Sequence, residues 1–270
     1  SVRVKGSEAE LQEALLRLMR QAVLSRMVAD VPLGAFLSGG VDSSSVVALM
    51  AEASRLPVKT CSIGFDVGEL DESEYASRIA KRFLTEHHSK TVAADDFGLI
   101  DTLAYHFDEP FADASALPTY RVSEMAREHV TVALSGDGAD EALAGYRRHV
   151  FHHGEERMRA LLPQAIRGPL FGTLGRLYPK ADWAPRPLRA KTTLLSLART
   201  RAEGYAEAVG VTPPHVRDRL YARRTQQMLG GYRAESHMHR LMDNAPARSG
   251  LDRAQYADMK LWLPGDILTK

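Results

Sequence analysis

The sequence predicts an α/β fold: a mostly parallel sheet with right-handed helical crossovers, followed by a mainly helical C-terminal part. Two observations support this prediction. Up to about residue 135, short apolar or β-branched runs alternate with stretches of helical periodicity. After about residue 150 the β-branched runs stop, and stretches rich in Leu, Ala and Arg alternate with prolines. We therefore predict an α/β core at residues 1–150 and a helical extension at residues 151–270.

The elements of the core follow from apolar periodicity and from capping and turn signals. Ser7 and Glu10 have the spacing of a capping box at the start of a first helix. Strands are expected at about residues 33–37, 58–64, 87–92 and 130–134, the last of them buried. Further helices are expected after the first strand and at about residues 73–83, 97–107 and 115–128. We expect the last of these to be interrupted near Pro118.

Composition excludes several classes of function. The chain has 270 residues, with 35 Lys and Arg against 34 Asp and Glu. A net charge of +1 produces no strong electrostatic attraction to nucleic acid or to a membrane surface, so we expect neither as a partner. The single cysteine, Cys61, excludes an intrachain disulfide and favours a reducing, cytoplasmic location. We interpret Cys61 as a small core residue of the second strand.

A phosphate-binding pattern lies between the first strand and the second helix, where residues 37–44 read Leu-Ser-Gly-Gly-Val-Asp-Ser-Ser. Gly39 and Gly40 let the backbone approach an anion, and the N–H groups at the helix start point towards it. Three hydroxyl groups add donors, those of Ser38, Ser43 and Ser44. Asp42 would repel a bare phosphate, so it indicates a Mg²⁺ between the two. The alternative is an ordinary strand–turn–helix joint capped by serine and aspartate.

A second loop of this kind follows the fourth strand, where residues 135–141 read Ser-Gly-Asp-Gly-Ala-Asp-Glu. Ligands of parallel α/β sheets bind beyond the carboxyl ends of the strands, so two such loops can face one nucleotide. Asp42 and Asp140 could then share a Mg²⁺. The alternative is a helix start enriched in acidic residues.

At this point the chain resembles a known family, the asparagine synthetases, which contain the same motifs in the same order. The motifs lie at residues 38–44, 71–76, 85–88, 108–110, 115–120, 134–141, 145–146 and 263–270. The chain is similar to the synthetase domain of a glutamine-hydrolysing asparagine synthetase or of an asparagine synthase-like amidotransferase. The resemblance is dense over residues 20–150. It implies a Rossmann-like sheet of the adenine nucleotide alpha hydrolase (PP-loop) type.

The resemblance implies ATP and Mg²⁺ as ligands and assigns residues to each. Pyrophosphate would contact Ser38, Gly39, Gly40, Asp42, Ser43 and Ser44. Adenine and ribose would meet the backbone at Leu37, Ile63, Ser135 and Gly136, with Ile63 closing the second strand. Asp42 and Asp140 would bind the metal. Asp137, where many relatives carry Glu, could deprotonate the incoming nitrogen.

The implied reaction is ATP-dependent amide formation. A substrate carboxylate attacks the α-phosphorus, pyrophosphate leaves, and ammonia or an amine displaces AMP from the acyl-adenylate. The family's glutaminase is a separate domain with an N-terminal Cys nucleophile. Residue 1 here is Ser, so we expect that domain to be absent and ammonia to come from glutamine hydrolysed elsewhere. A homodimer is possible for the full-length protein.

The acceptor carboxylate is left open by the sequence. Residues 108–120 are expected to shape its pocket, but the Arg that aspartate-specific relatives often carry there is missing before Arg121. Asp113 could instead bind a cationic group or a hydroxyl. The chain ends inside the last motif, so we expect a truncated synthetase domain that lacks a downstream catalytic Lys, with Lys270 frayed.

The sequence leaves an alternative to the favoured function open. A nucleotide-binding scaffold or regulatory domain could use the same fold without catalysis. Transfer RNA thiolation, another activity of PP-loop proteins, is less favoured, because it commonly needs sulfur-handling cysteines and this chain has only Cys61.

His87 and His88 point to opposite faces of a strand, so we interpret them as structural residues and not as a paired metal site. Residues 146–148, Tyr-Arg-Arg, could reach phosphate or cover the edge of the sheet.

Overall fold

A computed structural model describes residues 4–69, 71–93, 97–109, 111–179, 183, 185 and 189–270. Its strands are β1 (Leu33–Phe36), β2 (Lys59–Phe65), β3 (Glu86–Val92) and β4 (Val132–Leu134). Its first helices are α1 (Glu8–Arg26), α2 (Val41–Ala53), α3 (Ser73–Arg82), α4 (Ile100–Phe107), α5 (Ala116–Arg127), α6 (Ala139–Leu143) and α7 (Arg147–Leu161). The later helices are α8 (Gln164–Leu177), α9 (Lys191–Ala198), α10 (Arg201–Val209), α11 (Pro214–Leu220), α12 (Arg223–Leu229), α13 (Glu235–Asp243) and α14 (Gly250–Ala257). A π-helical segment, Asp258–Ile267, follows α14.

The sheet is parallel throughout and has the strand order β3-β2-β1-β4. Gly34 of β1 pairs with Lys59 of β2. A Cβ at Gly34 would lie 2.7 Å from the Lys59 carbonyl oxygen, so the close strand approach requires glycine here. Because parallel strands end at the same edge, the loops after β1 and β4 leave the sheet on one side. The predicted α/β class is confirmed.

The chain divides into two compact units. One holds residues up to 139 together with residues 265–270, and its core includes Ala35, Leu37, Val47 and Met50. The other, the helical unit, holds residues 140–264. The helical unit has its own core of buried side chains, which includes Tyr205, Met238, Met242, Ala254 and Ala257. The predicted domain division at residue 150 stays a prediction.

Two predicted elements differ from the structure. The run at 130–134 forms only the three-residue strand β4, and Val132 is 40% exposed because β4 pairs with β1 alone among the described strands. Helix α5 is not interrupted at Pro118. Pro118 is the third residue of the helix, where the backbone N–H has no intrahelical acceptor, so proline removes no hydrogen bond.

Other local predictions are confirmed. The Ser7 hydroxyl accepts from the Glu10 backbone and the Glu10 carboxylate accepts from the Ser7 backbone, which is a complete capping box. Cys61 is fully buried in β2. No helix within the described ranges combines the length and apolar character that a membrane span requires.

Candidate functional site

The loop between β1 and α2 is held in a conformation that only glycine adopts readily. Gly39 has φ +86°. A Cβ there would lie 2.5 Å from Tyr75 Cβ and 2.7 Å from the Ala76 nitrogen, both in α3. The loop backbone therefore lies directly against the start of α3, with no space for a side chain.

Helix α2 begins without a side-chain cap. Its N-cap residue, Gly40, has φ −65° and ψ 161° and offers no side chain to the first N–H groups. The free N–H groups of an uncapped helix start bind anions well, because the helix dipole adds to their hydrogen bonds. Asp42 lies in the first turn and is partly buried. A carboxylate at this position suits a metal-bound phosphate better than a bare one.

The loop serines have different surroundings. Ser38 Oγ and Ser43 Oγ lie 3.0 Å apart, and Ser38 Oγ accepts from the Gly40 N–H at 3.2 Å. These two hydroxyls therefore stabilise the loop through hydrogen bonds between its own residues. Ser44 Oγ is buried and has no hydrogen-bond partner among the residues that the structure describes. Because a buried hydroxyl without a partner is unfavourable, Ser44 is the serine best placed to gain a bond from a ligand.

The loop after β4 meets the first turn of α2. A Cβ at Gly136 would lie 2.8 Å from the Ser43 nitrogen and 2.9 Å from the Asp42 carbonyl carbon. The structure thus brings together the two loops that the sequence singled out. Asp137 and Ser135 are exposed there, and Gly138 has φ +91°.

Two of the expected nucleoside contacts, Leu37 and Ile63, lie directly after β1 and within β2. Leu37 is 1% exposed, and its N–H donates to the Cys61 carbonyl at 2.9 Å. Ile63 is partly buried and packs against the cluster around Cys61 and Met125. We expected Ile63 to be the last residue of β2, but the strand continues through Gly64 to Phe65. Their role in binding a nucleoside stays a prediction.

Residues 71–76, one of the motifs that carry the family resemblance, contact the first loop. The Asp71 carboxylate accepts from the Ser73 N–H at 3.0 Å and from the Ser73 hydroxyl at 2.9 Å. These hydrogen bonds hold the pKa of Asp71 below its ordinary value. They fix the start of α3, where Tyr75 and Ala76 lie directly against Gly39. The Asp-x-Ser pattern was the signal for this turn.

Two acidic residues of the second loop, Asp140 and Glu141, belong to the helical unit. Asp140 lies in α6 and is partly buried. A Cβ at Gly145 would collide with Asp140 Oδ1, so Gly145 permits the position of this carboxylate. Glu141 is 1% exposed and accepts from the Tyr146 hydroxyl at 2.6 Å. Among the described residues, no group of three or more His, Cys, Asp or Glu side chains is arranged to hold a metal.

The carboxylates nevertheless suit the expected metal. Mg²⁺ in nucleotide sites is commonly bound by one or two carboxylates together with substrate phosphates. Asp42 and Asp140 are carboxylates of this kind, and each lies in the first turn of a helix that follows a strand. That they share one metal stays a prediction.

Asp113 has partners that the sequence did not reveal. Its carboxylate accepts from the Ser115 N–H at 2.9 Å, from the Ser115 hydroxyl and from Lys270 Nζ. Burial alone would raise the pKa of Asp113, but these hydrogen bonds outweigh it and the pKa lies below its ordinary value. The Lys270 side chain is only 10% exposed, so the expectation that it is frayed was wrong.

The two adjacent histidines, His87 and His88, have hydrogen-bond partners within the fold. His87 lies 2.9 Å from Thr60 Oγ1 and 3.3 Å from Ser62 Oγ, and its pKa is lowered by burial and then by His88. His88 pairs instead with Glu86 at 3.1 Å. The two histidines therefore have separate surroundings.

Two of the residues at 146–148 have partners within the helical unit. Tyr146 donates to Glu141, as above, and Arg148 pairs with the buried Asp258 at 2.9 Å. That this segment reaches phosphate or covers the edge of the sheet stays a prediction.

Comparison with known proteins now adds a decisive observation. The family model described as "Asparagine synthase" matches residues 14–270. The chain belongs to the asparagine synthase family. Its parallel sheet and glycine-containing first loop are those expected of the PP-loop type, which confirms the Rossmann-like fold predicted from the sequence.

Three relatives show the range of the similarity. Asparagine synthetase (glutamine-hydrolysing) 1 of Bacillus subtilis is 30% identical over 268 residues, which are 99% of this chain and 40% of that protein. A Methanocaldococcus jannaschii protein, provisionally named asparagine synthetase (glutamine-hydrolysing) 2, is 48% identical over 153 residues, 56% of this chain and 29% of that protein. Amidase chyE of Penicillium rubens is 30% identical over 158 residues, 52% of this chain and 23% of that protein. The chain thus spans less than half the length of each relative.

Proposed function

We propose that this chain is the ATP-dependent part of an amide-forming carbon–nitrogen ligase of the asparagine synthase kind. The observation that carries the proposal is the meeting of the two loops at the uncapped start of α2, where Gly136 lies against Ser43 and Asp42. An uncapped helix start between two such loops suits the pyrophosphate of ATP. The names of the family and of the Bacillus subtilis relative support amide formation.

In the proposed reaction, a substrate carboxylate oxygen attacks the α-phosphorus of ATP. The bond to the β-phosphate oxygen breaks, which gives an acyl-adenylate and pyrophosphate. Ammonia then attacks the acyl carbon, AMP leaves, and one proton is lost from nitrogen. The N–H groups at the start of α2 and the Ser44 hydroxyl would hold the pyrophosphate, where negative charge accumulates. Bound Mg²⁺, held by Asp42 and Asp140, would neutralise part of that charge.

Asp137 is proposed as the group that takes the proton from the incoming nitrogen. It is exposed in the loop after β4, one residue beyond Gly136. Its carboxylate could accept a hydrogen bond from the incoming ammonia and take the proton that the nitrogen loses once the bond to carbon has formed. Asp42 and Asp140 would take part in catalysis through the metal.

The acceptor stays undetermined between aspartate and another acid. Asp113 already binds a cation and a hydroxyl of this chain, Lys270 and Ser115. A substrate ammonium would therefore have to compete with Lys270 for it. The name of the Penicillium rubens relative, an amidase, also differs from asparagine synthetase. Ammonia would come from glutamine hydrolysed by a separate glutaminase domain. We further propose a cytoplasmic location and a homodimer for the full-length protein.

The test is exchange of labelled pyrophosphate into ATP, measured with this chain across a panel of carboxylates that includes aspartate. Exchange that depends on one carboxylate supports the ligase. MgATP binding without exchange for any carboxylate supports the alternative, a nucleotide-binding scaffold. Asp42→Asn and Asp140→Asn each remove one proposed ligand charge at constant size, and calorimetry should show weaker MgATP binding for both. Unchanged binding in both variants would contradict the metal assignment.

A further inference from the structure

The helical unit contains a completely buried carboxylate, Asp258, at the start of the π-helical segment. Three side chains donate to its Oδ2 atom: Arg148 Nη2 at 2.9 Å, His149 Nε2 at 2.9 Å and the Tyr205 hydroxyl at 2.6 Å. A carboxylate without water is stable only when paired and hydrogen-bonded in this way. Asp258 therefore fixes the position of Arg148.

Arg148 is also held between two aromatic rings. Its Cζ atom lies 3.6 Å from the centroid of the Tyr146 ring and 5.1 Å from that of the Trp262 ring. Its side chain is 17% exposed. Because a guanidinium is attracted to ring faces, movement of Arg148 would move the Tyr146 ring as well.

Tyr146 in turn adjoins the turn that carries Asp140. Its hydroxyl donates to Glu141 at 2.6 Å. The residue before it, Gly145, donates its N–H to the Asp140 carbonyl at 2.9 Å, and it has no room for a Cβ beside the Asp140 carboxylate. Ala144 takes the left-handed conformation, with φ +58°, that closes this turn. Contacts thus run without a gap from Asp258 through Arg148 and Tyr146 to Asp140.

The geometry points to Arg148 and Asp258 as positioning residues that orient the Asp140 carboxylate for a metal ion. This inference rests on the proposed function, in which Asp140 binds the Mg²⁺ of MgATP. The other explanation is that the ion pair only stabilises the helical unit. The two explanations differ in one measurable quantity, the Mg²⁺ concentration at which ATP binding is half-maximal.

The test is a Mg²⁺ titration of ATP binding by calorimetry, together with thermal unfolding. The variants are Arg148→Met and the double variant Arg148→Met with Asp258→Asn, which removes both charges and so leaves no buried ion unpaired. The matched control is Arg159→Met. Arg159 is 6% exposed, and within the described part of the chain its ion-pair partners are Glu155 at 2.8 Å and Glu156 at 3.1 Å, outside the turn at Asp140.

For the double variant we expect the half-maximal Mg²⁺ concentration to rise by about 10–100-fold, the usual effect of losing an outer-shell partner of a metal ligand. Saturating Mg²⁺ should restore ATP binding. Arg159→Met should unfold at a lower temperature with an unchanged Mg²⁺ midpoint. A double variant with the midpoint of the original chain would overturn the inference while the proposed function stands. If the original chain binds no ATP in a Mg²⁺-dependent way, the proposed function fails and the inference with it.

Discussion

Replacing Gly39 with alanine tests whether the first loop needs the conformation that the structure shows. At φ +86°, a left-handed conformation is unfavourable for alanine by roughly 1–2 kcal/mol. The new Cβ would also lie 2.5 Å from Tyr75 Cβ and 2.7 Å from the Ala76 nitrogen. Neither atom belongs to the flexible end of a side chain, so the loop or α3 must shift, at a cost of about 1–3 kcal/mol. We expect the free energy of unfolding to fall by about 2–5 kcal/mol in total.

Two measurements check this expectation. Urea unfolding followed by circular dichroism reports the stability, and calorimetry with MgATP reports the affinity. A shifted loop loses N–H contacts to phosphate, and one hydrogen bond to a charged group corresponds to roughly tenfold or more in affinity. Gly68→Ala is the matched control, because no atom of the residues described by the structure, apart from the adjoining ones, lies within 4 Å of a Cβ at Gly68 and its φ is not positive.

The possible results distinguish the steric effect at Gly39 from the binding of phosphate by this loop. Equal unfolding midpoints and equal MgATP affinities for Gly39→Ala and Gly68→Ala would refute the steric argument altogether. A destabilised Gly39→Ala that binds MgATP as well as the control would keep the steric argument. It would contradict the assignment of this loop to phosphate.

Three further predictions concern single side chains. Ser44→Ala should change the free energy of unfolding by no more than about 0.5 kcal/mol, because its hydroxyl has no partner in the described part of the chain. It should weaken MgATP binding roughly tenfold by calorimetry. Ser45→Ala is the control, since that hydroxyl donates within the helix to the Val41 carbonyl, and equal affinities would refute a phosphate contact at Ser44. Burial lowers the pKa of His152 to about 4, below its unfolded value of about 6.5, so protonation destabilises the fold as pH falls through this range. His152→Phe should therefore remove a pH-dependent destabilisation that is absent above about pH 6.5 and reaches roughly 3 kcal/mol below pH 4; an unchanged slope of unfolding free energy against pH would contradict it. Asp137→Ala should keep MgATP binding and carboxylate-dependent pyrophosphate exchange but slow amide formation by roughly 10²–10⁴-fold, and an unchanged rate of amide formation would exclude Asp137 as the base.

Much of the α/β part could be predicted because its signals are local. The run that forms β1 is apolar and ends at the glycines of the first loop, so strand, turn and helix follow each other within about twenty residues. The capping box at Ser7 and Glu10 likewise depends on residues three apart. The exposure of Val132 could not be predicted in this way. It depends on strand order, which is decided by packing across the whole sheet.

The residue types of the candidate site could be predicted from the sequence, but the contacts that hold these residues in place could not. Two loops with glycines and acidic residues could be recognised one at a time. That Gly136 would lie against Ser43, and Gly39 against Tyr75, required the three-dimensional structure. The loop serines also looked equivalent in the sequence. Only their hydrogen bonds distinguish Ser43, which bonds to Ser38 within the loop, from Ser44, which has no partner in the described ranges.

The contacts of Asp113 show why charges are the hardest part to place from sequence. Nothing near Asp113 in the chain indicates Lys270, which is 157 residues away. From the sequence, an acidic residue in a predicted acceptor pocket suggested a substrate cation, and a lysine at residue 270 suggested a frayed side chain. Each interpretation treated one charge alone. In the structure the two charges bind each other, and the Ser115 hydroxyl completes the group. An acceptor with a cationic group would have to displace Lys270 from Asp113, so the exchange assay should favour carboxylates that leave this ion pair intact.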